Sequence, residues 1–505
     1  MSFTGFRPVG GLTACATALA FWPVAASADV TPAELWQSWQ AYGAASGQTL
    51  SASGQSQADG RLVLRDVTAD MAHQGGRMHS EIAEIVMTDR GDGTVAITVS
   101  PDYEITVTGT DRDGAAFELK LDAQLEGMSM IASGDPDSTT YALSADAFSI
   151  TTASATRAGQ AAQFDLAATV TGIAGTYAMD SAEGGLFRSD LAAAGMTFDL
   201  DTTEPGQGGT TAIAAEYDDI SIAAAGSAAA LAGGVDPAAL LGGRLELGGN
   251  FTQGGGSFSV DMRAGADRLG MTVHSAGGSS SSALAGAELT QTGRGEGLDV
   301  VVTDTRLRQS ELRFGIDRLS YDLALPVAPT DAPGPFSAQL ELDGVKLSEA
   351  TWAMVDPQSA LPHDPAALRI DLGGMARVTE DLSDPAAYAG PVAPFEPVSI
   401  DLRELRLELA GTTLTGEGAV SFDATDLRSY AGMPAPLGAV DLRLDGSTML
   451  TENLVTLGIL PRDQLVFAQI ILGMFAKPVE GQDALKSRIE FLPEGQISAN
   501  GTRIR

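Results

Sequence analysis

The side chains able to do covalent or metal chemistry are few and poorly placed for it. The chain holds 4 histidines, one cysteine and 65 carboxylates in 505 residues. The histidines stand at His73, His79, His274 and His363, and no Gly-x-Ser-x-Gly elbow or Ser-x-x-Lys pair accompanies them. His73 and His79, read as one strand, share a face but lie ~20 Å apart at strand rise, too far to hold one ion. Gly293-Arg294-Gly295-Glu296-Gly297 lacks both the spacing and the following helix of a phosphate-cradling loop. A glycosidase needs only two carboxylates, which so acidic a chain offers by chance everywhere, so their presence discriminates nothing. Asp89, Asp92, Asp111, Asp113, Asp135 and Asp137 cluster at Gly- or Pro-bearing turns, and oxygen-rich turns suit calcium. None carries the terminal bidentate glutamate of a calcium loop, and Asp before Gly is explained by the bond of its side chain to its own turn. These residues predict no catalytic group, no metal and no cofactor.

Charge narrows the partners. A formal net charge of −35 repels phosphate backbones and anionic headgroups, which excludes non-specific nucleic-acid binding. Apolar residues make up 44%, so the chain can bury a core and is not a disordered acidic tail. The first 28 residues read as an export signal: Arg7, an apolar stretch from Leu12 to Val24, then Ala26-Ser27-Ala28 as cleavage site. Removing them takes away one positive charge, for a mature −36, and the only thiol, Cys15. Leu12-Thr13-Ala14-Cys15 has the form of a lipoprotein box, but the apolar stretch lies after the cysteine, where a mature lipoprotein would be polar. The expectation is a periplasmic protein with no disulfide and no membrane span in its mature chain.

The elements that would position any site are mostly strands. Thr31, Pro32 and Glu34 write a capped helix start, Leu35, Trp36, Trp39 and Tyr42 form its stripe, and Gly43 is expected to end it. From about 49 to about 345 the period is two, as in Phe117, Leu119, Leu121 or Leu312, Phe314, Ile316, which marks strands with one apolar and one wet face. Asp92-Gly93, Asp113-Gly114, Asp135-Pro136, Gly184-Gly185 and Gly254-Gly255-Gly256 read as turns between them. The Ser/Gly run at 277–282 reads as a flexible loop, and Pro326 to Pro335 as a stiff connection dividing regions 29–325 and 326–505. Leu340-Glu-Leu-Asp-Gly-Val-Lys-Leu recurs as Leu442-Arg-Leu-Asp-Gly-Ser-Thr-Met, each running through Asp-Gly into a helical stretch, Trp352 to Val355 or Leu454 to Leu460.

The C-terminal segment 451–505 is electrically neutral and carries a run, Pro461 to Phe475, that is apolar all round if helical. Leu465, Ile470, Ile471, Leu472, Met474 and Phe475 are its candidate lipid contacts or core residues. Two strands should follow, from Ala484 to Phe491 and from Ile497 to Ile504. Leu457-Gly458-Ile459-Leu460-Pro461, Leu472-Gly473-Met474-Phe475-Ala476-Lys477-Pro478, Ser487-Arg488-Ile489-Glu490 and Ala499-Asn500-Gly501 together resemble the closing block of the domain-of-unknown-function 2125 family of exported alphaproteobacterial proteins. Asp29-Val30-Thr31 with Trp36 and Trp39 resembles that family's mature start. The resemblance implies export and no assigned activity. Leu414-Thr-Gly416-Glu-Gly418-Ala-Val420-Ser-Phe422 is similar to the glycine-spaced strands of AsmA-type envelope proteins, which implies an apolar groove open to lipid. The cleavable leader differs from the N-terminal membrane helix that anchors many of them. The sequence thus predicts a mainly β, elongated antiparallel architecture with a few short helices near its ends. Its expected role is non-enzymatic binding of a lipid or other lipophile in the cell envelope. The alternatives are an envelope scaffold with a protein partner and no small ligand, and a secreted carboxylate-dependent hydrolase.

Overall fold

The computed structural model describes the chain except residues 1–28, 46, 74–75, 112–113, 181–185, 204–207, 228–246, 286, 307–310, 381, 383–392, 459, 462 and 464–472. It is one antiparallel sheet of 27 strands, a meander in which nearly every strand pairs with its neighbours in sequence. Short polar turns between alternating segments leave antiparallel pairing as the only local option. The chain enters through α1 (Pro32–Ala45), β1 (Gln48–Ala58), β2 (Arg61–His73) and β3 (Gly76–Asp89). Next come β4 (Val95–Val99), β5 (Asp102–Thr110), β6 (Ala116–Glu126) and β7 (Ser129–Asp135). β4 and β5 lie end to end along β3, and β6 and β7 lie end to end along β8 (Ser138–Arg157), whose tip also pairs with β9 (Gln160–Ala161). The long strands β10 (Phe164–Asp180), β11 (Leu186–Thr203) and β12 (Thr210–Ser227) follow. A second split pair, β13 (Leu247–Gln253) with β14 (Gly255–Ala264) and β15 (Asp267–Ser275) with β16 (Gly277–Ala285), then leads to β17 (Glu288–Asp304).

The remaining sheet is β18 (Glu311–Pro326), β19 (Gly334–Leu347), β20 (Ala366–Val378), β21 (Phe395–Leu409), β22 (Thr412–Asp423) and β23 (Ala435–Asp445). It closes with β24 (Lys477–Pro478), β25 (Ala484–Leu492), β26 (Gln496–Ala499) and β27 (Thr502–Arg503). The sheet runs without a break across residue 325, where β18 pairs with β19. Two helices, α2 (Glu349–Val355) and α3 (Ser447–Thr456), follow β19 and β23. No helix among the described residues is long and apolar enough to cross a membrane.

A line of interruptions crosses the sheet from β1 to β19. At Asp66, Asp146/Gly172, Ala194/Asp219, Gly297/Asp317 and Gly344 the pairing skips a residue or two and then resumes. The breaks between β4 and β5, β6 and β7, β13 and β14, and β15 and β16 fall on the same line. Positive φ at Asp66 (45°), Gly127 (61°), Gly172 (61°), Asp219 (49°), Gly297 (56°) and Gly344 (64°) turns the backbone there. The skips take the same number of residues from both strands and leave the register unchanged, so the line is a crease where the backbone turns and the alternation of side chains switches, without slipping the pairing.

Several local expectations change. The Ser/Gly run at 277–282 belongs to β16, where pairing on both sides by β13 and β17 supplies the backbone bonds that its side chains cannot. Gly254-Gly255-Gly256 is no hairpin turn: Gly254 lies on the crease and the next two residues open β14. The helix α1 runs past Gly43 to Ala45, because Gly43 is buried where Leu50 crowds it and no left-handed cap forms there. The expected last strand is a hairpin, β26 and β27, turned at Asn500-Gly501 with both residues at positive φ. His73 and His79 are not on one strand, since His73 ends β2 and His79 lies in β3, which begins at Gly76. In the Asp-Gly repeat the two copies diverge: β19 continues through Gly344 to Leu347, whereas β23 stops and Gly446 (φ 82°) starts α3. The second helix runs from Ser447 to Thr456 rather than from Leu454 to Leu460.

Candidate functional site

One core is closed. The helix α1 begins with the expected reciprocal cap, in which the Thr31 amide donates to Glu34 Oε2 (3.0 Å) and the Glu34 amide to Thr31 Oγ1 (3.4 Å). Its Leu35 and Trp36 are buried against Leu62, Leu64, Ile85, Met87, Val95 and Ile97. Trp39 Nε1 donates to the Tyr141 hydroxyl (2.9 Å), and Tyr42 and Tyr177 share a hydroxyl hydrogen bond of 2.6 Å. An aromatic file continues from Trp39 through Tyr141 and Tyr177 to Phe187, with successive ring centroids 6.3, 6.5 and 6.2 Å apart. Burial pushes the Tyr141 and Tyr177 phenols up, so both stay neutral donors.

From that core the same face of the sheet continues as an apolar surface that is mostly half-buried. Because all pairings are antiparallel, directly opposed residues point to one side. Val67, Ile82, Tyr103, Ala123, Ile150, Ala168, Phe198, Ala215, Phe258, Val273, Val300, Phe314 and Leu347 are each the cross-strand partner of the next. At ~4.8 Å per strand this row measures about 58 Å along the sheet. Across the crease a second row repeats one residue type on seven strands: Leu319, Leu342, Leu368, Leu407, Leu414, Leu444 and Leu485. All seven leucines are only half-buried. The buried apolar residues form two clusters, the α1 core and a small pair, Leu284 with Val327, and others such as Ala123, Ile220 and Val300 are buried singly along the sheet. A contiguous apolar face of this length is unusual on a monomer, where open apolar patches are normally small. Most of its residues are half-buried and Val67, Ala123 and Val300 are buried, as on the inner side of a curved sheet. The result is a trough, closed at one end by α1.

The sequence-predicted contacts fall partly outside this picture. Leu465, Ile470, Ile471 and Leu472 lie outside the described residues. Met474 and Phe475 are exposed, at 49% and 40%, and the Phe475 carbonyl accepts from Asn500 Nδ2 (2.9 Å) at the edge of β25. The aspartates of the turns bind their own loops. Asp89 accepts from the Gly91 amide (2.7 Å), Asp92 from that of Thr94 (3.1 Å), Asp111 from that of Ala115 (2.9 Å), and Asp135 from those of Asp137 and Ser138. Asp113 lies outside the described residues. Among the described residues no group of three or more His, Cys, Asp or Glu side chains is arranged to hold a metal ion.

One buried polar cluster escaped the sequence. Asp356, fully buried after α2, accepts from the amides of Ala360 (2.9 Å) and Leu361 (2.7 Å). His363 stacks on Trp352 (4.3 Å, 2°) with Nε2 3.4 Å from Asp356 Oδ2. Burial pushes the Asp356 carboxyl up, but the two amides and His363 outweigh it and hold it below its ordinary value. Through its two amide bonds Asp356 fastens the loop after α2. Asp-Pro at 356–357 was the available signal, and it marks a loop without revealing the histidine.

No curated protein and no solved structure matches the chain. The expected family does appear, although the N-terminal block from Asp29 to Trp39 lies outside the matched residues. Residues 256–504, from the opening of β14 to the end of the last hairpin, match the model of DUF2125, an uncharacterized protein conserved in bacteria, and this C-terminal part of the chain belongs to that family.

Proposed function

We propose that this is a non-enzymatic protein of the bacterial cell envelope, exported to the periplasm, that carries or holds lipid in the trough. The observation behind this reading is the run of register-matched apolar side chains, most of them only half-buried. An acyl chain is about 15 Å long, half of a ~30 Å hydrocarbon core, so the row starting at Val67 has room for several chains laid across the strands. Lining by Leu, Phe, Val and Ala offers area and no directional bonds, which suits acyl chains and discriminates poorly among them. The sequence likeness to AsmA-type envelope proteins belongs to this reading and rests on strand pattern alone. Met474 and Phe475 add exposed apolar surface near the C-terminal edge.

Native mass spectrometry of protein purified in mild conditions tests the proposal. Wild type should retain co-purified lipid, and Leu368→Gln with Leu407→Gln should lose it. These two leucines are direct partners in the second row and only half-buried, so the variant should melt within a few degrees of wild type. Recovery of no lipid from wild type, or equal recovery from the variant, would defeat the reading.

A further inference from the structure

The opposite face of the C-terminal strands holds a feature that a lipid trough does not need. Arg369, Arg406, Thr415, Arg443, Lys486 and Lys477 are successive cross-strand partners on β20, β21, β22, β23, β25 and β24. They alternate in sequence with the leucine row and therefore point away from the trough. Like charges placed directly opposite one another destabilise a sheet. Three of the arginines have local compensation: Glu341 beside Arg369, Glu408 beside Arg406 and Asp445 beside Arg443. Lys486 stands between Arg443 and Lys477 with no carboxylate in ion-pair range among the described residues. Lys477 Nζ bonds only the Asn500 carbonyl (3.0 Å).

Of these, Arg406, Thr415, Arg443, Lys486 and Lys477 border an open cavity of about 900 Å³. Its lining carries six cationic groups against four carboxylates, in a chain whose net charge is −35. Two of those carboxylates, Asp441 and Glu490, are already engaged by Arg488. Arg403, Arg406 and Arg443 also pair with Asp371, Glu408 and Asp445 outside the lining, which leaves Lys477 and Lys486 as its cations without an ion-pair partner among the described residues.

We infer that this cavity binds a phosphate-bearing anion. Arginine forks supply paired donors and lysines supply mobile point charges, a combination that matches phosphate oxygens better than a single carboxylate. The volume exceeds a lone phosphate and leaves room for an organic group attached to it. The anion would relieve the repulsion along Arg443, Lys486 and Lys477. Phosphate of this kind comes either from a soluble compound or from a lipid headgroup at a membrane surface, and the site stands apart from the trough on the other side of the sheet.

Pyrophosphate titrated calorimetrically into the full-length protein at low salt is the first probe. Vesicles of phosphatidylglycerol against phosphatidylcholine are the second. Wild type should bind pyrophosphate, and Lys477→Ala with Lys486→Ala should weaken it at least tenfold. Lys346→Ala, which removes a lysine paired with Asp317 elsewhere in the sheet, should leave it unchanged. The double variant without ligand should melt at the same or a higher temperature, since a repulsion has been removed. Binding to phosphatidylglycerol vesicles alone, lost in the double variant, supports the site and assigns it to a headgroup. Absence of both interactions, or binding undiminished in the double variant, overturns the site and leaves the trough unaffected.

Discussion

At the scale of single residues, the polar chemistry is local bracing. His79 sits opposite Asp70 on the neighbouring strand, with Nδ1 2.9 Å from Asp70 Oδ1 and Nε2 3.2 Å from Glu81 Oε1. Glu81 and then Asp70 raise the imidazole above its ordinary value, while Arg77 and then His79 lower the Asp70 carboxyl. The raised histidine contributes stability that is fully present below its unfolded value of ~6.5 and fades as pH rises through its higher folded value. The lowered aspartate works the other way, contributing above ~3.9 and losing that contribution as pH falls. Stability should therefore decline from pH 6 toward pH 8 by no more than the ~0.2–1 kcal/mol typical of exposed pairs. Urea unfolding across that range should show the slope in wild type and a flatter line in His79→Gln. Equal slopes would mean that the imidazole keeps its free-chain affinity for protons. This cluster is not legible in the sequence, where His73 and His79 look like one strand; only the pairing of β2 with β3 brings Asp70 across from His79.

At the scale of elements, the crease decides how the strands bend, and glycine makes it possible. Gly344 has φ of 64°, and a Cβ placed there would lie 2.1 Å from Asp317 Oδ2, whose carboxylate is held by Lys346 Nζ at 2.6 Å. Gly172 repeats the arrangement against Ala194, with an added Cβ 2.8 Å from the alanine methyl. Gly344→Ala should cost about 1–3 kcal/mol, the usual price of forcing a side chain into a left-handed position with a neighbour in the way. Thermal denaturation of Gly344→Ala beside Gly114→Ala separates packing from conformation. Gly114 has a similar φ of 78° but open space around it, so the larger loss should fall on Gly344. Strand existence was legible from the period of two, because half-buried strands must alternate. The cap of α1 was legible from Thr31 and Glu34. The crease was not, since an isolated Gly or Asp inside a strand reads as a local irregularity until neighbouring strands align their interruptions. The Ser/Gly run failed for a related reason: composition reports what side chains can pack, and β16 is held by its backbone.

At the scale of the whole molecule, a single layer has to do something with its apolar side. Most sheets bury theirs against a second layer, and among the described residues the large buried cluster lies beneath α1, with a small one at Leu284 and Val327. The alternation that revealed the strands also disclosed that one face would be apolar, but register alone shows that the apolar positions line up across so many strands. That alignment is a property of pairing, which no single segment contains. It has a thermodynamic consequence. If lipid fills the trough, it binds the folded sheet and not the unfolded chain, so its occupancy adds RT ln(1 + [L]/Kd) to stability, roughly 2.7 kcal/mol at a hundredfold excess over Kd. Protein stripped of lipid by exchange into organic solvent or excess detergent and then refolded should melt several degrees lower and self-associate through the bared face. Adding a fatty acid below its critical micelle concentration should restore both the melting temperature and the monomer in light scattering. Sodium chloride should not substitute for it, because salt screens the carboxylates without covering leucine. A stripped protein that melts like the purified one and stays monomeric would show that the apolar face needs no ligand, and the trough would then be the inner surface of a scaffold.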